Sequence, residues 1–196
     1  MPVIDRDFEI ELRKCSELYV QIGVLEKLLR VTIPRSLGSD PHDPLDLKWM
    51  EKLPVDLENE SRYRKALVRR KLERRNRLLN ITDLLPFSFW KNILHGRNYT
   101  TTWIPYTHTI MANTIEAKSL VVFREFDAHL YQAHKDRNFI AHYNTSAIKG
   151  VDASLKNVRW LQEAMGLVEA EWCVEAFAGL VIGIDVQDRL FNALAA

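Results

Sequence analysis

Residues 8–29 read FEIELRKCSELYVQIGVLEKLL. Phe8, Leu12, Cys15, Tyr19, Ile22, Leu25 and Leu29 recur at steps of three and four, the period that lines one face of an α-helix. The spacing predicts an amphipathic helix over about residues 6–31, ended by Pro34. Outward from it, residues 34–60 carry Pro34, Gly38, Pro41, Pro44 and Pro54 and read as a long loop. One short helix is expected inside that loop, because Leu45, Trp49 and Leu53 share a face. Further helices are expected over 61–80, from Thr82 or Pro86 to His95, over about 108–136, from Asp152 as N-cap to about Met165, and over about 168–194. The stretch GRNYTTTWIPY at 96–106 reads as a threonine-rich link. The segment Trp172–Ile184 is apolar nearly all round, which places it at the centre of a core. No stretch shows the alternation of a strand. The expectation is an all-α bundle of five to six main helices in a single domain over 1–196. Residues 1–60 would be an N-terminal helical extension to a bundle over about 61–196.

Apolar residues make up 47% of the chain and charged residues 27%, the balance of a globular domain with a real core. The net charge is +1, so attraction for nucleic acid has to come from local patches. Cys15 and Cys173 stand far apart, with neither a CxxC pair nor a disulfide framework. A reducing cytoplasm is the expected compartment. The first residues, MPVIDRDFEIELRK, do not read as a signal peptide, and the apolar run Ala176–Ile184 is too short to span a bilayer. No membrane partner is therefore expected. P-loop, Rossmann and nucleophile-elbow motifs are absent, as are HExxH and a His pair at i, i+4, so no cofactor and no metal are expected.

The segment KDRNFIAHYN at 135–144 carries the chemistry. Arg137 stands five positions before His142. A histidine titrates near neutrality and can take a proton from a ribose 2′-hydroxyl or give one to a leaving oxygen. An arginine stays charged and grips phosphate oxygens in a fork. The bare spacing is not selective: Arg124 with His129, in REFDAH, and Arg35 with His42 also fit R-x(4–6)-H. Asn138 directly after the arginine, which REFDAH lacks, and the position late in a long helix set RNFIAH apart.

The pattern R-N-x-x-A-H late in a long helix resembles the HEPN superfamily, whose signature is R-x(4–6)-H, often with Asn after the Arg. The stretch LLPFSFWKNIL followed by YTTTWIP is similar to the middle of Abi-like abortive-infection proteins. The two resemblances touch residues 84–146. They imply a HEPN-like helical bundle and a metal-independent endoribonuclease of bacterial defence, in abortive infection or a toxin–antitoxin pair. They also imply a homodimer, RNA as substrate and an antitoxin protein as a further partner. Carried over, Arg137, Asn138 and His142 are the catalytic residues, with Lys135 and Tyr143 in support. Some family members have a tyrosine two residues after the histidine, where this chain has Asn144.

Geometry adds a demand. Residues five apart on an ideal helix are rotated by about 140°. Arg137 and His142 meet only if the helix ends between them or a second subunit supplies one of them. The plainer alternative is an Arg and a His that interact with carbonyls and the dipole at a helix end.

Residues 62–77 hold nine Arg or Lys and one acid. Arg62, Lys65, Arg69, Arg70, Arg74 and Arg77 are candidate RNA contacts, because phosphate contacts supply affinity without reading sequence. The alternative is that this helix docks on the acidic residues of 1–60. Tyr99, Trp103 and Tyr106 either stack bases or anchor the link to the core.

Overall fold

The structure is a computed structural model and describes residues 6–39, 46–54, 57–72, 81–142 and 150–166. Every described element is helical, and no strand occurs among these residues. The described residues form part of one compact unit that ends at Gly166. The helix expected over 168–194 and residue Leu45 lie outside the described residues.

Helix α1 spans Arg6–Ser36 and sets the frame. Its buried line is Cys15, Leu18, Ile22, Leu25, Leu29 and Ile33. The helical period was legible in the sequence, but the buried face is rotated from the expected one: Leu12 and Tyr19 are exposed, and Leu18 and Ile33 are inside. Burial together with the carboxylate of Glu11 pushes the Cys15 thiol up, as suits a packing cysteine. α1 does not stop at Pro34. A proline costs its helix one N–H donor, here the one for the Arg30 carbonyl, but its φ fits the last turn. The stop comes at Gly38, whose φ of 88° lies in the left-handed region. The Ser39 N–H donates to the Pro34 carbonyl at 2.9 Å and the Gly38 N–H to the Arg35 carbonyl at 3.0 Å, a Schellman closure. A short 3₁₀ turn at Lys48–Lys52 then buries Trp49 and leads to the buried Leu53.

Helix α2 is Leu57–Leu72, and α3 is a single turn at Ile81–Leu84. Helix α4, Phe87–Ile93, starts from Pro86 and buries Phe87, Phe89, Trp90 and Ile93. The threonine-rich link is itself coiled, as a 3₁₀ turn at Gly96–Asn98 and a π turn at Tyr99–Trp103. Two of its aromatics are anchors. Trp103 is fully buried and donates from Nε1 to the Ile93 carbonyl at 2.6 Å. The Tyr99 hydroxyl donates to the Lys118 carbonyl.

The long helix expected over 108–136 is divided. Helix α5 covers only Thr107–Ile110, turns follow, and α6 runs Leu120–Ala141. Helix α7, Val151–Ala164, begins after Gly150, whose φ is 80°. Asp152 is therefore not the N-cap. It sits in the first turn, where a carboxylate suits the helix dipole, and accepts from Lys14 Nζ at 2.8 Å. That bond, Arg159 to Glu17 at 2.9 Å and Gln162 to the Gln21 carbonyl at 2.9 Å stitch α7 along α1. Helix α6 packs on α7, α1 and α4 through Phe123, Phe126, Leu130 and Ala133. The apolar stripe of α1 is thus a wall of the shared core. No helix among the described residues is long and apolar enough to cross a membrane.

Candidate functional site

The last turns of α6 position the motif. The helix is unbroken from Arg137 to Ala141, and His142 is its C-cap, with φ −101° and ψ 14°. The His142 N–H donates back to the Asn138 carbonyl at 3.1 Å. Arg137 and Asn138 are half-buried and His142 is exposed. Of the two ways in which Arg137 and His142 could meet, a helix end between them is therefore closed. Within one chain the two side chains leave α6 about 140° apart.

Each belongs to a different face. Arg137 lies one turn beyond His134, whose ring stacks on Phe87 of α4 with centroids 5.7 Å apart. Lys91, one turn further along α4, holds Nζ 5.2 Å over the ring of Tyr131, which lies one turn before His134. Arg62 reaches the same region from α2, and Glu26 from α1. Burial lowers the His134 pKa below its usual 6.5, and the positive charges of Lys91, Arg137 and Arg62 lower it further. Glu26 acts in the opposite direction, but it is held by Arg30 at 2.5 Å. The result is an imidazole whose neutral form is favoured, among Lys91, Arg137 and Arg62 from three helices. Such a face attracts phosphate, and a neutral imidazole can accept a proton.

His142 belongs to the other side of α6, with Lys135 and Phe139. Lys135 is exposed and places Nζ 5.6 Å over the Phe139 ring. Lys135 and Phe139 adjoin α7, and His142 stands exposed at the C-cap.

On the basic helix, Arg62 is half-buried, and Lys65 and Arg69 are exposed. Arg64 is paired with Glu60 at 2.5 Å. The side chain of Arg70, and Arg74, Arg77 and Tyr143, lie outside the described residues, as does His42. Of the rival pair, Arg124 is exposed and His129 is a packing residue. His129 Nδ1 bonds the Asn157 Oδ1, Asn157 Nδ2 donates to the His129 carbonyl at 3.0 Å, and the imidazole leans on Trp160 at 4.5 Å. That histidine joins α6 to α7. Among the described residues no three His, Cys, Asp or Glu side chains gather to form a metal site.

Sequence reasoning missed His134 and Lys91. The i, i+3 spacing of His134 and Arg137 was a usable signal, since residues three apart share a helix face. Nothing in the sequence placed Lys91 beside them. The chain matches no family model, no curated protein and no solved structure.

Proposed function

We propose that this chain is a HEPN-type endoribonuclease of bacterial defence, working in the cytoplasm as a homodimer and without a metal ion. One observation carries the reading: the motif's arginine stands in a cationic cluster on one side of α6, and its histidine is exposed on the other. A two-fold dimer brings the Arg137 side of one copy against the His142 side of the other. A phosphodiester between them is gripped by Arg137, with Asn138 orienting it. The 2′-hydroxyl loses its proton to a base and attacks phosphorus. The bond to the 5′-oxygen breaks, and that oxygen takes a proton. The products are a 2′,3′-cyclic phosphate and a 5′-hydroxyl. The partner's His142 serves as acid or base, and Arg137 stabilises the charge on the phosphoryl oxygens.

The test is cleavage of structured RNA by purified protein in EDTA. Cleavage should persist, yield cyclic phosphate ends and fall by about 10²–10⁴ in His142→Ala. Arg137→Ala should lose it as well. Cleavage that needs added metal, or that survives both substitutions, contradicts the reading.

The divergence of Arg137 and His142 within one chain favours a second reading, a non-catalytic helical module that binds RNA. RNA that is bound but not cut, with affinity lost in Arg137→Ala and Lys91→Ala, would select it.

A further inference from the structure

Between α6 and α7 lies a cleft of about 640 Å³, on the side of α6 that carries Gln132, Lys135 and Phe139. We propose that this cleft seats one unpaired nucleotide, with its base against Trp160 and Phe139 and its phosphate between Lys135 and Lys156. The inference takes its ligand class from the RNA reading above.

The volume lies within the range of small-molecule sites, about 300–1,000 Å³. The lining fits the two halves of a nucleotide. Trp160 and Phe139 offer aromatic faces, and the Trp160 ring is held in place by His129 at 4.5 Å and Phe126 at 6.3 Å. A flat base gains most from a platform that is already fixed. Lys135 and Lys156 are exposed ammonium groups on the two facing helices. Among the described residues no acid lines the cleft, and Glu125 lies 3.8 Å from His129 Nε2. Gln132 supplies an amide to the lining and is itself fixed by donating to the Asp136 Oδ1 at 2.8 Å. Asp136 is 1% exposed, so this orientation is set from inside the protein. Phe139 lies one turn before His142. A strand that leaves the cleft past Phe139 runs towards the end of α6, where the motif's histidine is the C-cap.

The test is titration of the purified protein with uridine and adenosine 5′-monophosphates, ribose 5-phosphate, and a hexanucleotide in single-stranded and duplex form. The monophosphates should bind, and ribose 5-phosphate should bind at least about five-fold more weakly because it has no base to stack. Lys156→Glu, a change at an exposed position, should weaken the monophosphates about ten-fold with the fold intact by circular dichroism. Equal binding of ribose 5-phosphate, or no effect of Lys156→Glu, overturns the proposal. The single strand should bind more tightly than a monophosphate and the duplex more weakly than the single strand. A single strand that gains nothing over the monophosphate overturns RNA as the occupant. Failure here is separable from failure of the proposed function. Cleavage is read with Arg137→Ala, which should abolish it, and the cleft with Lys156→Glu. Cleavage without nucleotide binding removes the cleft alone, and nucleotide binding without cleavage removes the nuclease alone.

Discussion

Arg137 stands in the last turns of α6 and His142, five residues on, is its C-cap, so about 140° of rotation sets their side chains apart. Arg137 looks towards α4 and α2, where His134, Lys91 and Arg62 gather. His142 stands one turn beyond Phe139, exposed at the C-cap of α6. A motif that reads as a pair in the sequence is, in the folded chain, two side chains that diverge.

The first prediction concerns His134. Its folded pKa lies below 6.5 because of burial and the charges of Lys91, Arg137 and Arg62, offset in part by Glu26. Between the two values the unfolded chain holds more protons than the folded one, so acid favours unfolding there. The stability contribution is complete above about pH 6.5, shrinks as pH falls towards the folded value, and is then level. His134→Phe keeps a ring on Phe87 and removes the titration. Its Tm should fall less than that of wild type between about pH 7 and about pH 5. Equal falls would show that His134 does not sense this environment.

The second concerns the rival pair. His129 ties α6 to α7 through Asn157 and Trp160. His129→Ala should lower stability by about 1 kcal/mol in urea unfolding, because it leaves the Asn157 Oδ1 without its part-buried partner. Arg124→Ala, at an exposed position, should stay within about 0.5 kcal/mol. Neither should abolish RNA cleavage. Loss of cleavage in Arg124→Ala with the fold intact would move the site to REFDAH.

The third concerns Trp103. Trp103→Phe keeps most of the ring and deletes the donor to the Ile93 carbonyl, which Asn98 Nδ2 also reaches at 3.2 Å. The cost should be about 1–3 kcal/mol, against about 3–5 kcal/mol for Trp103→Ala. Urea midpoints at constant slope would measure both. A cost near zero for Trp103→Ala would contradict the anchoring role.

How far the sequence led can be judged from particular residues. The all-α class followed from periodicity, and the α1 stripe was legible because its apolar residues recur at helical spacing. Its exact face was not, since Leu18 and Tyr19 fit the period about equally and only packing against α7 and α6 separates them. Pro34 misled because a proline in a last turn is tolerated, and Gly38 supplied the stop. Residues 111–119 look helical in composition, yet they form turns between α5 and α6. Around the site, spacing along α6 gave the 140° divergence in advance. The approach of Lys91 and Arg62 to His134 depends on α4 and α2 docking on α6, which local pattern does not encode.

The fourth prediction tests that convergence. Lys91→Ala should weaken RNA binding for all sequences alike and reduce the slope of log K against log salt by about one. An unchanged slope would mean that no phosphate passes over α4.

The most direct test of the two-half-site account is complementation between Arg137→Ala and His142→Ala. Each variant alone should be inactive. After unfolding and refolding together, half of the dimers are mixed, and each mixed dimer holds one site with both residues intact, so activity should return to about a quarter of the wild-type level. A mixture that stays as inactive as its components would contradict a site shared between two copies.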